Sequence, residues 1–155
     1  MSEHDEHDEH DGRPRIISPT GWPRPRGYSN GMAARGELLA IAGQIGWDET
    51  ETLVSDQFLP QFDRALRNVA AVVEAAGGRP HHLVSLTLYV TDKRQYIDAG
   101  PRLGETYRAV LGKHFPPMAL VQVADLLEDG ALVEIQGLAV LPAAPPPEAP
   151  APEDR

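Results

Sequence analysis

Hydrophobic and polar positions alternate along four stretches of the chain and recur with a helical period along two others. The alternating stretches are 37–47, 82–92, 117–126 and 131–141. Alternation of this kind predicts β-strands. Between the first two strands, apolar residues of 56–76 recur at spacings of three and four, which predicts an amphipathic helix that ends at Gly77 and Gly78.

A second helical pattern covers residues 93–112. It is interrupted at Gly100 and Pro101, where proline can occupy the first turn of a new helix. The segment YSNGMAAR, residues 28–35, precedes the 37–47 strand and is predicted to pair with it. The resulting order β-β-α-β-α-β-β predicts an α+β sandwich, one sheet with two helices packed on one face.

The two faces of the predicted sheet differ in composition. One set of alternating positions is purely apolar and is expected to lie under the helices: Leu39, Ile41, Ile45, Val84, Leu86, Leu88, Val90, Val121, Val123, Val133 and Ile135. The other set is only half polar: Ala40, Ala42, Gln44, Ser85, Thr87, Tyr89, Met118, Leu120, Gln122, Leu132, Glu134, Gln136, Leu138 and Val140. A solvent-facing surface would carry more charge, so we expect a homo-oligomer built sheet against sheet.

Composition divides the 155 residues into one domain and two tails. Residues 1–13 contain an acidic repeat, EHDEHDEHD, and 142–155 are rich in proline, so both are predicted to be disordered around a domain at 14–141. The histidines of the repeat could hold a transition metal, but ordering the tail costs entropy, and a solvated tail is the simpler interpretation.

Most of the net charge of −9 lies in those tails, because residues 13–141 carry 13 basic and 14 acidic side chains. A nearly neutral domain argues against nucleic-acid and membrane partners. The chain has no cysteine, and no apolar run approaches the length of a membrane span. The acidic start does not resemble a secretion signal, so we expect a cytoplasmic protein.

Several motifs together resemble the RidA (YjgF/YER057c/UK114) family. They are GYSNGM, AGQIGWD, ALRNVAAVVEAAGG, LVSLTLYVTD, HFPPMALVQV and ALVEIQGLAV, in the family's order over residues 15–141. The resemblance implies a chorismate-mutase-like fold and a homotrimer whose inter-subunit clefts bind a small molecule. For the archetypal members it implies hydrolysis of enamines and imines derived from amino acids. We expect no cofactor and no metal.

The resemblance also implies site residues, position by position. Tyr28, Gly43 and Glu134 match the family pattern, with Glu134 and Tyr28 as catalytic candidates. Four positions depart from it: Met118 stands where active members carry the arginine that binds the substrate carboxylate, Gly104 replaces an asparagine, Ala42 replaces a serine, and Leu120 replaces a small residue whose carbonyl helps to hold water. Removing one partner of a desolvated carboxylate pair costs roughly 2 to 5 kcal/mol, which predicts an altered, more apolar substrate pocket.

Each candidate residue has a structural alternative. Glu134 could position water and pass a proton, or make a hydrogen bond at a subunit boundary. Tyr28 could bind a ligand or close the interface with its ring. Met118 and Leu120 could shape the pocket or pack at an oligomer interface.

The basic and imidazole side chains near the predicted cleft also have both a functional and a structural interpretation. Arg24 and Arg26, in GWPRPRGYSNG, could replace the missing cation or remain solvated. The same stretch could stack on RNA, and some family members have been described as ribonucleases, but the neutral domain disfavours this use. His114 has no identifiable catalytic partner and is interpreted as a surface histidine.

Two functions remain open from sequence. The first is a hydrolytic deaminase of an enamine or imine metabolite with an altered pocket. The alternative is a non-catalytic trimer that binds a small molecule or acts as a scaffold.

Overall fold

The computed structural model describes residues 11–144. In chain order the elements are β1 (Arg15–Ile17), β2 (Gly31–Ala33), β3 (Glu37–Ile45), α1 (Phe58–Ala75), a 3-10 turn (Pro80–His82), β4 (Leu83–Val90), α2 (Lys93–Ala99), α3 (Pro101–Leu111), β5 (Met118–Gln122) and β6 (Val133–Leu141). The predicted α+β class and the order of the main elements are confirmed. The tails predicted to be disordered, 1–13 and 142–155, lie outside the described residues except for 11–13 and 142–144.

The main sheet has four strands in the order β3-β6-β4-β5. β6 is antiparallel to both β3 and β4, whereas β5 runs parallel to β4 after the crossover through α2 and α3. The helices cover one face of this sheet, which we call the inner face. The opposite face, called the outer face, is left without a covering element within residues 11–144.

The hairpin partner of β2 differs from the prediction. β2 pairs with β1 in a separate two-stranded sheet, with Ile17 opposite Gly31, rather than with β3. The expected pairing of 28–35 with 37–47 is therefore wrong. At Gly36, between β2 and β3, φ is +146° and the backbone passes so close to Leu141 that a Cβ would collide with it. This close approach places the start of β3 beside the end of β6, with which β3 pairs. β2 pairs instead with β1, a short strand that the pattern did not predict.

Helix α1 supplies most of the core. Phe62, Leu66, Val69 and Val73 lie on its sheet-facing stripe and are completely buried. Burial of such a side chain stabilises the fold by about 1.5 to 3 kcal/mol each. The helix ends as predicted at Gly77, whose φ of +85° is favourable only for glycine, and the backbone bonds from Gly77 and Gly78 to Glu74 and Val73 form a Schellman motif.

The predicted break in the second helical stretch is present. Gly100, with φ +50°, ends α2, and Pro101 occupies the first position of α3. Asp92 caps α2 by accepting a hydrogen bond from the backbone N–H of Arg94 at 2.9 Å. Both short helices pack against α1.

Strand β5 presents the opposite face from the one predicted. Met118 lies beside Leu86 and Leu120 beside Leu88 in the parallel pair, so all four side chains share the inner face and contact the core. Val121, assigned to the core from sequence, is 43% exposed on the outer face. The assignment failed because MALVQ is apolar at both parities, so alternation could not choose between the two faces.

A bulge in β4 moves a second predicted core residue, Val84, out of the core. The register with β6 changes between Leu83 and Ser85, and as a result Leu83 is fully buried while Val84 is only partly buried. Val84 was predicted to lie in the core beside Leu86. The bulge moves it out and places Leu83 there instead.

Candidate functional site

A cavity of about 390 Å³ opens on the outer face, and we call it the outer cavity. Its lining residues come from β3, β4, β6 and the loop after β5: Gly43, Tyr89, Val123, Asp125, Leu126, Leu127, Glu134 and Gln136. Two carboxylates, a phenol and an amide therefore line this cavity together with Val123, Leu126 and Leu127. Such a mixture is typical of small-molecule sites.

Glu134 and Gly43 are brought together at the base of the outer cavity. Glu134 lies on β6 opposite Tyr89 of β4, and a bulge in β3 around Gly43 turns the backbone toward the Glu134 carboxyl group. A Cβ on Gly43 would lie 2.7 Å from the carboxyl carbon of Glu134, closer than real side chains approach. The absence of a side chain at position 43 therefore gives the carboxylate its place.

The carboxylate of Glu134 forms no salt bridge with any residue of 11–144. Beside it, the Tyr89 hydroxyl donates a hydrogen bond to Oε1 of Gln136 at 3.2 Å, which orients the Gln136 amide. A carboxylate in a cavity can accept a proton from a water molecule that lies within hydrogen-bonding reach of it. Tyr89 and Asp125 were not selected from sequence as site residues.

The rim of the outer cavity is tied to α1 by Gln61, which is fully buried. Its Nε2 donates to the carbonyls of Ser55 and Gly130 at 2.8 and 2.9 Å, and its Oε1 accepts from the N–H of Leu132 at 2.8 Å. The loop that carries Asp125 is thereby fixed just before β6. The available sequence signal was a glutamine on the apolar stripe of α1, three residues after Phe58.

A second cavity, of about 540 Å³, lies between the end of β1, the loop 22–30 and Phe115, and we call it the arginine cavity. It brings together Arg24, Arg26 and Tyr28, three of the residues selected from sequence. The Ser29 hydroxyl donates to the carbonyl of Phe115 at 2.6 Å and so joins this loop to the segment that precedes β5.

Within one chain, the outer cavity and the arginine cavity share no lining residue. Glu134 and Gly43 lie in the first, and Tyr28 lies in the second. Ala42 is exposed beside Gly43, and its carbonyl accepts a hydrogen bond from the Gln44 side chain at 3.1 Å. The two predicted catalytic residues are therefore not brought together by the fold of a single chain.

Met118 and Leu120 line neither cavity. The sulfur of Met118 accepts a hydrogen bond from the Tyr107 hydroxyl at 3.7 Å, and that hydroxyl lies 3.1 Å from the hydroxyl of Tyr96. Burial raises the pKa of Tyr107 far above its ordinary value, so this phenol stays protonated and acts as a donor. The substrate-binding role expected for Met118 and Leu120 stays a prediction.

Gly104 and His114 lie away from both cavities. Gly104 is on α3, and a Cβ there would lie 3.2 Å from the guanidinium of Arg108. His114 is half-buried rather than on the surface as interpreted, and its Nε2–H donates to the carbonyl of Leu83 at 2.7 Å. Burial lowers the pKa of His114 below the ordinary histidine value, which favours this neutral, structural state.

Within residues 11–144, no three His, Asp or Glu side chains gather closely enough to hold a metal ion. None of the helices in that range has the length and apolar character needed to cross a bilayer.

The chain is similar to known proteins along nearly all of its folded part. The family described as Endoribonuclease L-PSP matches residues 23–141. The RutC family protein PH0854 of Pyrococcus horikoshii is 33% identical over 119 residues, which cover 76% of this chain and 90% of that protein. The 2-iminobutanoate/2-iminopropanoate deaminase of Salmonella typhimurium is 32% identical over 108 residues, which cover 68% of this chain and 80% of that protein.

The fold agrees with these sequence matches. The Rid-family protein YyfB of Yersinia pestis has a crystal structure that superposes with a TM-score of 0.71 at 28% identity, covering 83% of this chain and 99% of that one. The family match spans well over half of the chain. The chain therefore belongs to the Endoribonuclease L-PSP family and is a member of the RidA (YjgF/YER057c/UK114) family that its motifs resemble.

Proposed function

We propose that the protein is a hydrolytic deaminase of an imine or enamine metabolite, with a substrate pocket different from that of the archetypal RidA proteins. The observation that carries this proposal is the close approach of Gly43 to the unpaired carboxylate of Glu134 inside the outer cavity. Relatives from several organisms are named 2-iminobutanoate/2-iminopropanoate deaminase, which supports the reaction class.

In the proposed reaction, Glu134 acts as the general base. The oxygen of a water molecule adds to the imine carbon while Glu134 accepts a proton from that water, and the C=N electron pair moves to nitrogen, which is protonated. The nitrogen of the tetrahedral carbinolamine then receives the proton held by Glu134, the hydroxyl group loses its proton to solvent as the C=O bond forms, the C–N bond breaks, and ammonia leaves. One water molecule is consumed, and one carbonyl compound and one ammonia are released.

We also propose that the site is completed between subunits of a homotrimer that buries the outer face. Leu38, Val121 and Leu138 are large apolar residues exposed on that face within a single chain. Burial of these side chains by a second copy would enclose the outer cavity and exclude bulk water, which strengthens the electrostatic effect of Glu134.

The first test is the variant Glu134→Gln, which keeps the shape of the side chain and removes its basicity. General-base catalysis typically contributes about 100-fold to 10,000-fold, so ammonia release from imines generated in place by an amino-acid oxidase should fall by about 100-fold or more. Glu105→Gln, an exposed change on α3, is the matched control and should retain activity.

Turnover by Glu134→Gln at the wild-type rate would remove this mechanism. Saturable binding of substrate analogues by wild type without any turnover across small and aromatic imines would favour the alternative, a non-catalytic binding trimer. The feature that supports this alternative is Met118, which stands where the resemblance implies an arginine.

A further inference from the structure

The arginine cavity combines two cationic side chains with three aromatic rings. Arg24 and Arg26 line it together with Trp22, Tyr28 and Phe115. None of its lining residues is acidic, and within residues 11–144 neither arginine forms a salt bridge. Both guanidinium groups are therefore available to an external anion.

The backbone of this cavity is restrained even though its side chains are exposed. Pro23 and Pro25 fix the φ angle at alternate positions of the loop, and Gly27 adopts a φ of +78°, which glycine accommodates without strain. The bond from Ser29 to the Phe115 carbonyl tethers the loop to the segment before β5. The loop that carries the arginines therefore has few accessible backbone conformations. Less conformational entropy of the loop is lost when a ligand binds.

The chemistry of the lining indicates the class of ligand. A guanidinium group can donate two parallel hydrogen bonds to a carboxylate of the ligand. Exposed aromatic side chains can pack against a planar ring of the ligand. Trp22 is 62% exposed, so much of its surface is free for stacking. The cavity volume of about 540 Å³ lies within the range of known small-molecule sites.

We infer that the arginine cavity binds a carboxylate that carries an aromatic ring, with Arg24 and Arg26 holding the carboxylate and Trp22, Tyr28 and Phe115 holding the ring. The further step, that the deaminase prefers imines derived from aromatic amino acids, rests on the proposed function and on the arginine cavity of one subunit facing the outer cavity of another in the proposed trimer. The binding of the aromatic carboxylate itself does not.

The test measures equilibrium binding by calorimetry with three matched probes. 3-Phenylpropanoate carries the ring and the charge, 3-phenylpropanamide lacks the charge, and propanoate lacks the ring. Wild type should bind 3-phenylpropanoate at least about tenfold more tightly than either of the other probes, and its affinity should fall as salt concentration rises. The tryptophan fluorescence of wild type should be quenched by 3-phenylpropanoate. This quenching should be lost in the variant Trp22→Phe.

The double variant Arg24→Gln/Arg26→Gln should weaken binding of 3-phenylpropanoate about tenfold. Arg94→Gln/Arg102→Gln changes the net charge equally at two exposed positions of α2 and α3 and should leave the affinity unchanged. Equal affinities of the two double variants, or equal binding of the acid and the amide by wild type, would overturn the inference.

The outcome is separable from that of the proposed function. Glu134 lines the other cavity, so Glu134→Gln should bind 3-phenylpropanoate like wild type even when turnover is lost. Where turnover is present, Arg24→Gln/Arg26→Gln should raise KM for the imine of phenylalanine about tenfold and leave kcat unchanged. An equal kcat/KM for the imines of phenylalanine and alanine in wild type would refute the proposed substrate preference alone.

Discussion

At the scale of single residues, the site depends on one missing side chain. Because a Cβ on Gly43 would lie 2.7 Å from the carboxyl carbon and 2.9 Å from Cγ of Glu134, the variant Gly43→Ala must displace the carboxylate. A displacement of about 1 Å in a catalytic group can cost roughly 100-fold in rate, so ammonia release should fall by about that factor. Gly31→Ala, whose Cβ would lie 3.4 Å from Ile17, is the control and should retain activity. Wild-type turnover by Gly43→Ala would contradict the placement of the reaction at Glu134.

At the scale of elements, one buried side chain connects α1 to the loop before β6. Gln61→Leu preserves volume but leaves the carbonyls of Ser55 and Gly130 and the N–H of Leu132 without a partner. Since each unsatisfied buried group costs about 1 to 3 kcal/mol, the free energy of unfolding should fall by roughly 3 kcal/mol, measured by urea denaturation. Gln57→Leu, at an exposed position that makes no cap hydrogen bond to α1, should change it by less than about 0.5 kcal/mol. A loss for Gln61→Leu no larger than that of the control would contradict this role.

At the scale of the whole molecule, the outer face of the four-stranded sheet has no covering element within residues 11–144. Leu138, 39% exposed, lies at its centre between Ala40 of β3 and Ser85 of β4. Leu138→Glu would place a charge in the proposed trimer interface, so the molar mass from light scattering should fall from three chains to one. Ile97→Glu, an equally apolar and 53% exposed position on α2, should remain trimeric. A monomeric wild type, or a trimeric Leu138→Glu, would contradict the proposed assembly.

Much of the fold could be predicted because the relevant signals are local. The spacing of apolar residues in α1, the Gly77 stop and the break at Gly100 and Pro101 each depend on neighbours within a few residues. The predicted partner of β2 and the predicted face of β5 failed for a different reason. Strand pairing and register are contacts between distant residues, and MALVQ offers apolar side chains to either face.

The candidate site likewise has features that were predicted from sequence and features that only the fold could show. The sequence by itself determined the family motifs, and with them Glu134, Gly43, Tyr28 and the absence of an arginine at position 118. Only the tertiary structure decided which of these groups meet. It placed Glu134 with Gly43 in one cavity, placed Tyr28 with Arg24 and Arg26 in another, and turned Met118 toward the core. The physical reason is that composition and period act along the chain, whereas a site is formed by strand register, bulges and loop contacts across it.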